Sequence, residues 1–144
     1  NIYGLKALGA EVGLCGPTTF MPLEAEQWGT KIFHNLDEAI EWADVLNVLR
    51  IQLERQKKVL FPTNREYHAL FGVTRARLER AGKDITILHP GPINRGVEIE
   101  SELADSEFSL ILNQVTNGVA VRMAVLYLLS GGAAIETEEE GSRR

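Results

Sequence analysis

Apolar residues open the chain at helical spacing, with Ile2, Leu5 and Leu8 on one side and Gly9-Ala10 ending the segment. Residues 11–14 then read as a strand closed by Gly16-Pro17, and the polar stretch holding Leu23 and Trp28 predicts a short helix. Residues 31–34 form a second predicted strand. Asn35 and Glu38 stand three apart ahead of Ala39, Ile40 and Ala43, a capping-box spacing that predicts a helix over 36–43. Residues 45–51 are almost continuously apolar, the pattern of a parallel strand covered by helices on both faces.

Thr63 and Glu66 repeat the capping-box spacing and start a helix that runs through Tyr67, Leu70 and Leu78 to Gly82, with a break expected near Gly72. Residues 85–88 make the fourth predicted strand. An acidic segment over 98–105 and a short apolar piece over 108–112 lead to Asn117-Gly118, which introduces the last helix. Strands alternating with helices of this length predict a doubly wound α/β domain, a mostly parallel sheet with helices on both faces. Such a unit normally begins with a strand, so the helix-first start carries the expectation that the first strand is lacking. The domain is expected over residues 1–135, with residues 136–144 as a frayed tail. The last helix is apolar on almost every side, from Val119 through Met123 to Leu129, with Arg122 as its main charge. It reads either as an internal core helix or as one whose outer face needs a second lobe or subunit.

Composition narrows the function classes. The 144 residues, 44% of them hydrophobic, suit one domain with a real core. A net charge of −5 argues against a nucleic-acid partner. Arg75, Arg77, Arg80 and Lys83 cluster beside Glu79 at helical spacing and read as a solvated face. No basic-then-apolar leader and no span-length apolar run is seen, so no membrane is expected. The lone Cys15 has no internal partner, which favours a reducing, cytoplasmic setting, and inside an apolar strand it reads as a small core residue. Gly13, Gly16 and Pro17 miss the dinucleotide-binding spacing, and His34, His68 and His89 lack metal-ligand spacing, so neither NAD nor zinc is expected.

The chemistry concentrates at two strand ends. Open parallel sheets place ligands beyond the carboxyl ends of their strands. Arg50 and Gln52 occupy one such end and the loop from His89 to Gly96 another, facing each other if strands three and four are neighbours. A guanidinium fork matches a carboxylate in bidentate fashion and an amide beside it adds further bonds, which suits a carboxylated substrate. The alternative is a structural Arg50 paired with Glu54 or another acid at the sheet edge. Two prolines and two glycines within eight residues steer the His89 loop into one backbone path, with Gly91-Pro92 open to a cis bond. From these residues alone it is either a stiff turn or a ligand-facing loop, and His89 is either an acid–base group or an orienting one.

At these residues the chain resembles the aspartate carbamoyltransferase family, specifically its second, aspartate-binding lobe. The segment Leu49-Arg50-Ile51-Gln52-Leu53-Glu54-Arg55-Gln56 is similar to the family's aspartate-reading segment. His89-Pro90-Gly91-Pro92-Ile93-Asn94-Arg95-Gly96-Val97-Glu98 is similar to its active-site loop, and Gln114 to Arg122 to the start of its last helix. Ornithine carbamoyltransferases share the fold but carry His-Cys-Leu-Pro where this chain has His89-Pro90-Gly91-Pro92.

The resemblance implies that Arg50 and Gln52 hold the carboxylates of L-aspartate. The backbone carbonyls of Pro90 and Gly91 would accept from the carbamoyl amide, with His89 and a cis bond at Pro92 setting the loop geometry. Arg55 and residues 56–62 would form a mobile loop that swings in on closure. The aspartate amine would attack the carbamoyl carbon of carbamoyl phosphate and expel phosphate, a step of pyrimidine biosynthesis that needs no cofactor and no metal. The family's first lobe, with its Ser-Thr-Arg-Thr-Arg and His-Pro-Thr-Gln motifs, has no counterpart here, so the chain alone is expected to be inactive. Its implied partners are that lobe, further copies in a homo-oligomer (a trimer in the family) and a regulatory or pathway enzyme. The alternative is a non-catalytic binding or assembly module of a pyrimidine-synthesis complex.

Overall fold

A computed structural model describes residues 1–52 and 63–131. Helix α1 (Ile2–Ala7) precedes strand β1 (Gly13–Cys15), and two 3₁₀ turns, Thr18–Phe20 and Ala25–Trp28, stand where one short helix was predicted. Strand β2 (Lys31–Phe33), helix α2 (Leu36–Trp42) and strand β3 (Val45–Asn47) follow, then α3 (Asn64–Phe71), α4 (Arg75–Ala81), β4 (Thr86–Leu88), α5 (Ser101–Ala104) and α6 (Ile111–Leu129). The fold is α/β with parallel strands. Among the described residues the strands pair two by two: β1 with β2, and β3 with β4 in the register Val45–Thr86, Leu46–Ile87 and Asn47–Leu88.

Both predicted capping signals operate. The Asn35 side chain accepts from the Asp37 N–H at 2.9 Å, and Thr63 Oγ1 accepts from the Glu66 N–H at 3.1 Å. The expected break at Gly72 separates α3 from α4. The chain passes so close to α3 there that a Cβ on Gly72 would lie 2.5 Å from the His68 carbonyl oxygen. Val73 then bonds to the distant 98–100 segment, its N–H to Glu98 O at 3.0 Å and its carbonyl to Glu100 N–H at 2.9 Å. The core gathers Leu36 and Ile40 of α2, Leu78 of α4, Ile87 of β4, and Ile99 and Leu103 beyond the loop. No helix of the described residues is long and apolar enough to cross a membrane.

Several readings of the sequence need correction. Strand β3 stops at Asn47 and exposes Val45, so the apolar run over 45–51 is neither one strand nor covered on both faces. The basic residues of α4 are more than a solvated face. Arg77 is half-buried and clasps α2, with Nη1 2.7 Å from Asp37 Oδ1 and Nη2 donating to Ala69 O at 2.7 Å, while Arg75 and Lys83 pair with Glu107 and Asp44 at 3.6 and 3.7 Å. Cys15, the last residue of β1, is exposed rather than a core residue. Its thiol is nonetheless pushed up to about 11, chiefly by partial burial, with Arg77 opposing and Glu38 adding to the rise.

Helix α6 begins at Ile111, well before Asn117-Gly118, because Ser109 is held beside Ile87 and its hydroxyl accepts from the Ile111 N–H at 3.4 Å. Ile111 is the buried residue of this helix, and Val119, Val121, Met123, Leu126, Leu128 and Leu129 are all exposed. The internal-core alternative therefore fails for the described structure. The predicted tail over 136–144 lies outside the described residues.

Candidate active site

The parallel pairing of β3 with β4 brings both carboxyl ends to one rim. Val48 N–H extends the ladder by one bond to Leu88 O at 2.8 Å, and the two chains then diverge. On the β3 side Ile51 turns inward and is buried, while Arg50 is half-buried and Gln52 exposed. The two polar residues thus flank a buried one.

On the β4 side His89 is wholly buried, at 0% exposure. Its backbone N–H donates to Gln114 Oε1 at 2.7 Å, tying the loop to α6. Its Nδ1 accepts from the Gly91 N–H at 2.9 Å, so the neutral ring carries its proton on Nε2, which lies 3.3 Å from Glu98 Oε1. His89 thus orients the loop; it does not reach solvent as a free acid or base. Gly91-Pro92 is cis, and Gly91 adopts φ +66° in the left-handed region that favours glycine. Pro90 and Pro92 are exposed, and the carbonyls of Pro90 and Gly91 accept no hydrogen bond among the described residues.

Two residues whose roles the sequence did not reveal hold the site together. Glu98, 1% exposed, accepts on Oε1 from both His89 Nε2–H and the Asn94 N–H, the latter at 2.6 Å. The Asn94 side chain then crosses to the segment that follows β3 and donates to Ile51 O at 3.0 Å, between Arg50 and Gln52. The signal for this was a carboxylate nine positions after His89, but spacing across an irregular loop does not show which side chains turn inward. Further out, His68 Nδ1–H donates to Val97 O at 3.0 Å, and Arg95 forms a forked pair with Asp105 at 2.6 and 2.9 Å. That pair holds Asp105 below the usual carboxylate range.

An open groove of about 670 Å³ runs beside the loop between Leu88, Gln114, Asn117, Val121 and Arg122. No cluster of three or more potential metal ligands occurs among the described residues. Arg55 and the expected mobile segment over 56–62 lie outside the described residues, as does Glu54, the alternative partner for Arg50.

These features define an α/β domain whose β3–β4 rim carries Arg50, Gln52 and a loop with a cis Gly91-Pro92 bond. The Asp/Orn-binding domain of the aspartate/ornithine carbamoyltransferases matches residues 1–129. The chain belongs to this family. It is 61% identical over 132 residues to the aspartate carbamoyltransferase catalytic subunit of Gemmatimonas aurantiaca, covering 92% of this chain and 41% of that protein. It is 59% identical over 133 residues to that of Heliobacterium modesticaldum, covering 92% and 43%. Among solved structures it resembles the Pyrococcus furiosus ornithine carbamoyltransferase with a TM-score of 0.70 at 25% identity, covering 91% of this chain and 45% of that one. It also resembles the Trypanosoma cruzi aspartate transcarbamoylase in complex with carbamoyl aspartate and phosphate, with a TM-score of 0.63 at 26% identity, covering 81% and 39%. The chain thus spans about two fifths of the length of the curated relatives it matches.

Proposed function

We propose that this chain is the aspartate-binding half of an aspartate carbamoyltransferase, working with a carbamoyl-phosphate lobe to make carbamoyl-aspartate in the cytoplasm for pyrimidine biosynthesis. The observation that carries the reading is the joining of the two sides of its rim. The cis loop is tied by Asn94 to Ile51 O, between the two polar side chains suited to a dicarboxylate. Arg50 offers a planar pair of donors to a substrate carboxylate, and Gln52 an amide. Pro90 and Gly91 offer unengaged carbonyls to the carbamoyl NH₂. With the acceptor amine and the carbamoyl carbon held together, attack forms the C–N bond, the amine loses a proton, and the C–O bond to phosphate breaks. This half contributes orientation and charge stabilisation, and no residue in it is assigned to hold the phosphate. Aspartate is favoured over ornithine by the His89-Pro90-Gly91-Pro92 loop and by the names of the relatives at 59–61% identity.

On this reading residues 1–135 form the lobe, Arg55 joins the site on closure, and the exposed face of α6 meets the other lobe. The working assembly is a homo-oligomer, trimeric as in the resembled family. The test joins residues 1–131 to the first part of the Gemmatimonas aurantiaca subunit in place of its matching stretch. In that joined chain Arg50→Ala should weaken recognition of aspartate by roughly 2–5 kcal/mol, read in the KM for aspartate and in kcat/KM. Unchanged aspartate kinetics would refute the assignment. A joined chain that binds aspartate but forms no product would favour the assembly-module reading instead.

A further inference from the structure

A buried carboxylate with an idle oxygen is an expensive thing to keep. Glu98 is 1% exposed, its Oε1 receives two donors, and its Oε2 has no hydrogen-bond partner among the described residues. An uncharged side chain of similar size would avoid that cost. What Glu98 holds explains its presence. Through Nε2 it fixes the His89 ring in the tautomer whose Nδ1 accepts from Gly91, and so fixes the peptide that presents the Pro90 and Gly91 carbonyls. Through the Asn94 N–H it fixes the residue whose side chain grips Ile51 O. Its own backbone is anchored, because its carbonyl accepts from Val73 N–H at 3.0 Å. The line Gly91–His89–Glu98–Asn94–Ile51 is thus continuous, with both ends at the rim.

We infer that Glu98 and Asn94 are positioning residues that couple the loop at Gly91 to the Arg50–Gln52 segment, setting the distance between the two halves of the site as one rigid unit. The inference rests on the function proposed above, which makes those two ends the carbamoyl and aspartate contacts. Neither residue need touch a substrate. The Asn94 side chain is spent on Ile51 O, and Glu98 Oε1 is spent on two internal donors. The consequence is that disturbing one end moves the other.

The test uses the joined chain with Asn94→Ala, Glu98→Leu and Glu98→Gln. Glutamine keeps one acceptor oxygen for both donors and is the conservative replacement. Asn94→Ala should lower kcat/KM for aspartate at least about tenfold, since misplacement of reacting groups by about 1 Å can cost about a hundredfold, and should lower kcat more than it raises the KM for carbamoyl phosphate. Glu98→Leu should do the same, and Glu98→Gln should retain most activity. A merely structural role would lower the unfolding midpoint and leave kcat per folded molecule unchanged, which would overturn the coupling. Amide resonances give a readout that needs no turnover. Asn94→Ala should shift Gly91 and the His89 ring nitrogens, and Glu98→Leu should shift Gln52. Effects confined to the mutated end, or a His89 ring protonated at Nδ1, would overturn the inference. Absence of activity in the unsubstituted joined chain would count against the proposed function alone, and the resonances would still decide the coupling.

Discussion

Gly91→Ala separates backbone conformation from packing at the centre of the loop. Gly91 sits at φ +66°, and a Cβ there would meet nothing nearer than Val115 Cγ2 at 3.9 Å, an ordinary contact. No clash contributes, so the cost is conformational. A non-glycine residue in the left-handed region costs roughly 1–2 kcal/mol, and about 0.4–1 kcal/mol of that is offset because alanine also restricts the unfolded chain. The expected destabilisation therefore lies between about 0 and 1.6 kcal/mol, near 0.8 kcal/mol at its centre, read as a lowered urea midpoint with an unchanged slope. Activity should fall further than stability, because the strained residue donates the N–H that holds His89 and carries one of the two free carbonyls. A loss above about 3 kcal/mol would mean that the open space beside Gly91 is filled. A clear gain in stability would mean that the loop does not hold this conformation, and either result would refute the reasoning.

Other perturbations reach the frame around the site. Arg77→Ala removes two 2.7 Å bonds at a half-buried position and leaves Asp37 with only the more distant Arg80, at 3.6 Å. It should cost about 1.5–3 kcal/mol in urea unfolding, and a loss below about 0.5 kcal/mol would show that α2 and α4 are held by apolar contact alone. Stability should also fall in alkali. The folded state raises Cys15 from 9.0 to about 11 and Tyr67 from 10.0 to about 12, in both chiefly by burial. Between those values the unfolded chain has lost protons that the native state retains, so stability declines as pH rises from about 9 to about 12. Urea midpoints at pH 8 and 11 read this directly, and Cys15→Ser should flatten the lower part of the fall. A midpoint that does not change with pH would contradict both shifts.

Much of the fold was legible because its signals are local. Asn35 and Thr63 cap helices where their spacing predicted, the break at Gly72 falls where the chain passes the His68 carbonyl, and four short parallel strands alternate with helices. The errors came where tertiary context decides. Val45 looks like a residue of a strand covered on both faces, but nothing among the described residues covers its outer side. Asn117-Gly118 looks like a helix start, but the bridge between Ser109 and Ile87 starts the helix earlier. Arg77 looks like surface charge until α2 brings Asp37 within 2.7 Å.

The candidate site divides in the same way. Arg50, Gln52 and the His89-Pro90-Gly91-Pro92 loop stood out as candidates because polar residues and Pro-Gly steps follow apolar runs there, and the cis bond was anticipated from its proline. The Glu98–Asn94 link was not visible, since it depends on how an irregular loop folds back across 43 residues to Ile51. A one-dimensional pattern carries no signal for that crossing.

The central claim is that this chain reads aspartate for carbamoyl transfer. The most direct test is product formation by the joined chain from carbamoyl phosphate with L-aspartate or L-ornithine. The account predicts carbamoyl-aspartate with aspartate, no product with ornithine, and none from the chain without a first lobe. Turnover of ornithine in preference to aspartate, or of neither by a folded joined chain, would contradict it.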